Sequence, residues 1–221
     1  MIRRAPLATL LRRWRTLRRA DRGVALTEFA LVTPLFLVLG VGGIDTASFI
    51  VTHMRVSQVA LHVADNASRM GERTALVSRK VYEADINDVF IGARQEARGL
   101  GLATHGRIIL SSLERNAQGG QWIHWQRCSG ALAHPSSYGT QGTGASGTSL
   151  TGMGPAGQRI AASAADAVMF VEVAYRYQAL SPLSPFDQRL IVYTGSYNVR
   201  DARDLTQVYQ HTPASAVASC S

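Results

Sequence analysis

From Val24 to Ile50 the chain reads VALTEFALVTPLFLVLGVGGIDTASFI, a nearly unbroken apolar run unlike anything that follows it. An α-helix needs about 20 residues to cross a hydrocarbon core roughly 30 Å thick, so this run predicts a membrane-spanning helix over residues 24–50. The period then becomes that of a half-buried helix. Val56, Val59, Val63, Ala67 and Met70 recur at spacings of three and four, with Arg55, Gln58, Asp65 and Arg69 off that stripe. One helix is therefore expected from about Ala25 to Met70, apolar all round in its first half and amphipathic in its second. A second amphipathic helix is predicted over Arg79 to Arg98, with Val81, Val89, Phe90, Ala93 and Ala97 on one side and Gly99 as a C-cap.

After Gly101 the pattern turns to strands. Arg107 to Leu113 and Gln121 to Cys128 are short β-prone runs joined by ERNAQGG, which reads as a hairpin. Ala167 to Tyr177 alternates, placing Met169, Val171, Val173, Tyr175 and Tyr177 on one face, and Leu190 to Arg200 supplies a further strand. Between them, Pro135 to Arg159 holds seven glycines among serines and threonines and predicts a mobile loop inside one domain. The elements together give an α+β class, a long N-terminal helix packed on a small antiparallel sheet.

Charge changes the picture once it is located. The chain of 221 residues carries a net charge of +8, which on its own suggests a nucleic-acid binder. Its first 22 residues, however, hold eight arginines and a single acid, Asp21, which leaves fifteen bases against fourteen acids in the remainder. The basic character belongs to a head that abuts the apolar run, so no nucleic-acid partner is expected. Arginine-rich flanks stay cytoplasmic, which predicts a single pass through a bacterial inner membrane with the C-terminal body translocated to the periplasm. The expected organisation is a leader over 1–23, a span over 24–50 and a periplasmic domain over 51–221, with the Gly/Ser-rich loop at 135–159. A cleaved secretory signal is the competing reading of this layout. Its apolar region runs only about 7–15 residues and ends in small-x-small, whereas the run here is longer and ends in Ser48-Phe49-Ile50-Val51.

Glu28 is the residue that asks most of the chemistry. A carboxylate inside a membrane helix costs about 2.5–3.5 kcal/mol on insertion scales and by default marks a functional contact. The residues around it read Arg22-Gly23-Val24-Ala25-Leu26-Thr27-Glu28-Phe29, so a cut after Gly23 would make Glu28 the fifth residue of a new chain. A basic leader, a glycine, an aliphatic residue, then glutamate at the fifth position followed by an aromatic resembles the class III signal of type IV pilins and pseudopilins. With the continuation FALVTPLFLVL it is most similar to the TadE-like pseudopilins of tight-adherence, Flp-type pilus systems.

That resemblance implies a pilin-like fold and a minor pilin or pseudopilin role in assembling a Flp/Tad-type pilus or related secretion apparatus. It implies processing between Gly23 and Val24 by a membrane prepilin peptidase, and subunit docking through Glu28 and Phe29. The partners it implies are the inner membrane, the prepilin peptidase, the major Flp-type pilin with companion pseudopilins, and an inner-membrane platform driven by a cytoplasmic ATPase. An uncleaved, signal-anchored periplasmic binding or envelope-anchoring protein, similar to TadG-like proteins, is the alternative. The freed Val24 amine, with a reference pKa near 7.7–8.0, would be largely cationic at neutral pH and would supply a counter-ion for Glu28. Four residues of helix separate the two by about 6 Å, which suits pairing between staggered neighbours at least as well as pairing within one chain.

Further along the span, Thr33-Pro34 removes a backbone hydrogen bond, and Gly40, Gly42, Gly43 and Ala47 offer a small-residue stripe for a neighbouring helix. Asp45, about 25 Å of helix rise from Glu28, is expected at the outer interface, where hydration accounts for it. Cys128 and Cys220 both lie in the translocated body, where an oxidising compartment favours a disulfide. Two free thiols, or a metal site with histidine, are the alternatives. The histidines at 53, 62, 105, 124, 134 and 211 show no H-x-H, HExxH or CxxC spacing, so neither metal nor cofactor is expected. No G-x-S-x-G elbow, P-loop or dinucleotide fingerprint is present, and the sequence nominates no catalytic residue. Trp122 and Trp125, three apart on a strand, are expected on opposite faces, one of them in the core.

Overall fold

The computed structural model of the chain describes residues 22–74, 77–182 and 184–220. The arginine-rich leader up to residue 21 therefore lies outside the described residues. In chain order the elements are α1 (Arg22–Arg69), β1 (Glu72–Thr74), β2 (Val77–Lys80), α2 (Glu83–Glu96), a single turn α3 (Leu102–His105), β3 (Gly106–Arg115), β4 (Gln121–Ser129), β5 (Ala167–Arg176) and β6 (Leu190–Asn198). The class is α+β, as the patterning predicts. The chain divides into two compact units, Met1–Ala47 and Ser48–Ser221.

In the second unit β3 to β6 form one antiparallel sheet in the order β4-β3-β5-β6. The predicted β3–β4 hairpin is present, with Glu114 opposite Trp122 and Arg115 opposite Gln121. Its turn is organised by Asn116, whose Oδ1 accepts from the N–H groups of Gln118 at 3.0 Å and Gly120 at 2.9 Å. One face of the sheet carries Ile108, Leu110, Trp125, Met169, Val171, Val173 and Tyr175 into a core shared with Val56, Val59, Val63 and Ala67 of α1 and Ile86, Phe90 and Ala93 of α2. The stripe spaced three and four along α1 is thus the stripe that packs.

The opposite face is covered too, which alternation along β5 does not reveal. Val168 and Phe170 on β5, with Leu113 and Ile123, form a second core under Tyr138, Leu150, Met153, Ile160 and Ala162. The segment whose composition predicts a mobile loop is therefore a packed cover, and this corrects the reading from glycine content. Two polar anchors hold it down. Asn116 Nδ2 donates to the carbonyls of Gly144 at 2.8 Å and Gly147 at 2.7 Å. Glu172, 1% exposed on β5, accepts from the Ser136 hydroxyl and from the Ser137 N–H at 2.9 Å. Burial, and secondarily the charge of Glu172, raise the Tyr138 phenol above its ordinary pKa. A strand covered on both faces reads as a continuous apolar run, which is what AVMFVEVAYR is.

The second helix is shorter than its pattern predicts, because Arg79 and Lys80 belong to β2. Tertiary contacts take those residues. The Arg79 N–H donates to Ala202 O at 2.9 Å, its carbonyl accepts from the Asp204 N–H at 2.9 Å, and its side chain reaches Asp201 at 2.7 Å. The helix ends at Ala97, whose N–H donates to Ala93 O, with Gly99 at φ +91 turning the chain beyond it.

A buried Arg127–Glu83 ion pair, with Arg127 Nε 2.9 Å from Glu83 Oε2, ties the first turn of α2 to β4. At the other end of α1, Arg203 Nη2 donates to the carbonyls of Ala67 at 3.2 Å, Ser68 at 3.3 Å and Met70 at 2.9 Å, and the Arg79 guanidinium donates to that of Arg69. Two cations thus satisfy the orphan carbonyls at the negative end of the helix dipole. Burial, with Arg79 beside it, lowers the Arg203 pKa to about 10, so it stays charged at neutral pH.

Gly195 on β6 lies directly against the backbone of α1. A Cβ there would stand 2.5 Å from Ala60 O and 2.8 Å from Ala60 C, both backbone atoms that cannot swing aside. Gly195→Ala is expected to force α1 and β6 apart at a cost of about 1–3 kcal/mol, the usual range for overpacking. Urea unfolding of the purified protein checks this, and an unchanged midpoint would show the contact to be looser than described.

Candidate functional site: the exposed N-terminal half of the long helix

The first unit holds α1 up to Ala47. Every large apolar side chain from Val24 to Ile44 stands among the exposed ones, and Phe29 is 69% exposed. Leu, Val and Phe side chains in this number, on all sides of a helix and uncovered by the described residues, suit an apolar solvent. This is a helix long and apolar enough to cross a membrane, and no part of its most apolar stretch is buried. Pro34 sits inside it without ending it.

Gly23, Val24, Glu28 and Phe29 all fall on the first two turns, and all are exposed. Val24 and Glu28, four apart, share one face of the helix. The Thr27 hydroxyl donates to Val24 O at 2.8 Å, so a local side chain occupies a carbonyl of the first turn. A Cβ added at Gly40, Gly42 or Gly43 would meet nothing within 4 Å, so the small-residue stripe is open. Asp45 departs from expectation: it is 3% exposed, and hydration does not account for it.

In the second unit Cys128 on β4 and Cys220 stand at disulfide distance, with Cα atoms 4.9 Å apart and a sequence separation of 92. The Cys128 N–H donates to Ala218 O at 2.8 Å, and Asn87 Nδ2 donates to Ala216 O at 2.8 Å. The last residues are an irregular strap pinned across α2 and β4.

Trp125 is in the core and Trp122 only half-buried, but they do not take opposite faces as their spacing predicts: a bulge sets Trp125 opposite Ser112 and Trp122 opposite Glu114, two residues apart on β3 and so on one face. Trp122 stacks on His124 with centroids 4.3 Å apart. His124 Nδ1 lies 2.9 Å from buried Glu114, whose other oxygen accepts from the Ser112 hydroxyl at 2.7 Å. The sequence reading missed this Ser–Glu–His cluster, whose only signal is that hairpin pairing sets residue 114 opposite 122. The serine hydrogen is directed to the carboxylate and not to the imidazole, so the arrangement presents no activated nucleophile of the Ser–His kind.

The fold and the exposed helix define a class: an α+β protein carried on one N-terminal helix able to span a membrane. Within that class, the family model of TadE-like proteins matches residues 23–65, a stretch that starts at the glycine singled out above and runs through the apolar helix into its packed half. The resemblance read from the residues around Glu28 is thus met by an independent comparison, and it points to a Tad pilus-related protein. No curated protein and no solved structure matches the chain.

Proposed function

We propose that this chain is a membrane-anchored, pilin-like subunit that serves the assembly of a Flp/Tad-type pilus or a related secretion apparatus. A prepilin peptidase cuts it between Gly23 and Val24, the span stays in the bacterial inner membrane, and the body lies in the periplasm. Glu28 then pairs with a Val24 α-amine, its own or a neighbour's, and Phe29 beside it contacts an adjoining subunit. The work is assembly, with no chemistry of its own. The major pilin, companion pseudopilins and the inner-membrane platform are its partners.

One observation carries this reading. A glycine stands five residues before an exposed glutamate at the start of an unburied apolar helix, within the stretch that matches TadE-like proteins. A free amine at Val24 is the simplest counter-ion for a carboxylate at that depth, and only proteolysis creates it. N-terminal sequencing of the protein from cells with an active leader peptidase is expected to begin at Val24. Recovery of the chain from Met1 in those cells would replace this reading by that of an uncleaved anchor.

A further inference from the structure

The two edges of the four-stranded sheet are finished differently. Along β4 the chain itself takes the outward N–H groups: Gln121 donates to Leu150 O at 3.1 Å, Ile123 to Thr143 O at 2.9 Å and Cys128 to Ala218 O at 2.8 Å. Gln126 N–H likewise donates to Gln141 Oε1 at 3.3 Å. Strand β6 forms the other edge, next to β5. Its register runs unbroken from Asn198 opposite Val168 to Leu190 opposite Arg176. The bonds that continue this ladder, Val199 N–H to Ala167 O and Tyr177 N–H to Arg189 O, both at 2.9 Å, fix its phase. Odd-numbered residues of β6 turn their main-chain groups to β5, so Val192, Thr194 and Ser196 turn theirs outward. Among the described residues, no main-chain group pairs with those three.

Proteins blunt an open edge with charge, proline or a bulge. Strand β6, LIVYTGSYN, has none of the three. Its flanks are apolar on both faces. Leu190 and Val192, 47% and 40% exposed, are two residues apart and share one face of the strand. On the other face lies α1, where His53 meets Tyr193 and Ala60 meets Gly195. Met54 and Leu61 each follow those two helix residues by one position, a rotation that carries them away from Val56, Val59 and Val63 in the core. They stand on the outer side of β6, 59% and 42% exposed. Arg200, just past the strand, reaches Asp65 on that same flank of the helix at 2.8 Å.

We infer that β6 receives an extended segment of another protein, which adds to the sheet as a further strand. An extended backbone offers donors and acceptors at the two-residue repeat that Val192, Thr194 and Ser196 present. Side chains of the added strand alternate between the faces, meeting Leu190 and Val192 on one and Met54 and Leu61 on the other. A charge buried against either pair would go unpaired, so the segment is uncharged, with aliphatic or β-branched residues beside Val192. A second copy of the chain fits less well. Antiparallel self-pairing over the full strand, centred on Thr194, sets Leu190 opposite Asn198 and Val192 opposite Ser196, apolar against polar. The inference concerns the folded body alone and holds whether or not the leader is cut. To test it, the full chain in dodecyl maltoside selects from phage-displayed random peptides, and synthetic copies of the selected sequences are titrated by fluorescence anisotropy. Thr194→Pro removes one outward N–H and spares the bonds to β5, while Val192→Lys puts a charge on the same edge. Urea midpoints check that each variant folds, and where the proline lowers the midpoint the lysine variant decides. The expected result is a set of uncharged peptides with alternating β-branched residues that bind the unmodified chain. Both variants, and N-methylation of alternate peptide amides, should weaken that binding by at least about tenfold. Peptides that bind the variants as well as the unmodified chain, or a selection that yields none specific to it, overturn the inference. A dimer seen by sedimentation and dispersed by Thr194→Pro assigns the edge to a second copy and overturns it too.

Discussion

Opening the Cys128–Cys220 bridge, by Cys220→Ser or by reductant, is expected to lower the stability of the body by up to about 4–5 kcal/mol. That figure is the chain-entropy value for a closed loop of about 90 residues. The loop enclosed runs from the last residues of β4 through the covering segment, β5 and β6 to Cys220, and the entropy term grows only slowly with length. The native-side contribution is local: the strap donates nothing to a sheet ladder of its own and is held by single bonds such as Cys128 N–H to Ala218 O. The bridge is therefore the principal tie on the last residues. Urea unfolding of the purified protein with and without reductant measures the difference. Proteolysis between 211 and 220 in the reduced form should precede loss of the sheet. Coincident unfolding midpoints, or quantitative thiol labelling without reductant, would show that the pair does not bridge in the mature protein.

How much of this was legible in the sequence follows from which contacts are local. The span, the stripe of α1 from Val56 to Ala67 and the strands β3 to β6 are set by short-range periodicity, and each was readable. What was missed depends on partners far away in the chain. Arg79 continues a helical pattern, yet β2 pairs antiparallel with β1 through Lys80 and Glu72, and the Arg79 backbone also bonds residues 202 and 204, more than a hundred positions on. The glycine-rich segment has the composition of a loose loop, while its few apolar residues, Tyr138, Leu150, Met153 and Ile160, are placed to cover Phe170 and Val168. Composition records the glycines and hides the four residues that matter.

The candidate site divides the same way. Gly23, Val24, Glu28 and Phe29 lie within seven consecutive positions of one helix, so their grouping needs no fold to bring it about. The Ser112–Glu114–His124 cluster needs the hairpin before it exists and could not be found by spacing alone.

Glu28→Ala is expected to leave membrane insertion intact, or to improve it, while reducing the amount of this subunit in assembled pili by at least about tenfold. The two effects have opposite signs because they draw on different states. In the lone subunit the carboxylate is a liability in the apolar helix, worth at most about 2.5–3.5 kcal/mol and less near the helix end, so its removal eases insertion. In the proposed assembly it would accept a charged hydrogen bond from the Val24 amine, a class of contact worth about 1.5–3 kcal/mol, which is roughly tenfold to a hundredfold in an equilibrium. Glu28→Gln keeps the shape and most of the hydrogen-bonding capacity but loses the charge, and it should fail nearly as badly. Glu28→Asp keeps the charge on a shorter arm and should recover part of the assembly. Quantifying the subunit in sheared pili and in the membrane fraction, alongside the mature N-terminus of each variant, tells the cases apart. A variant that is cut at Val24 and inserted but absent from pili has lost docking, whereas one that keeps its leader has lost recognition by the peptidase. Normal incorporation of Glu28→Ala would mean that the carboxylate reaches the cytoplasmic interface by itself and that the register between subunits is set elsewhere on the helix.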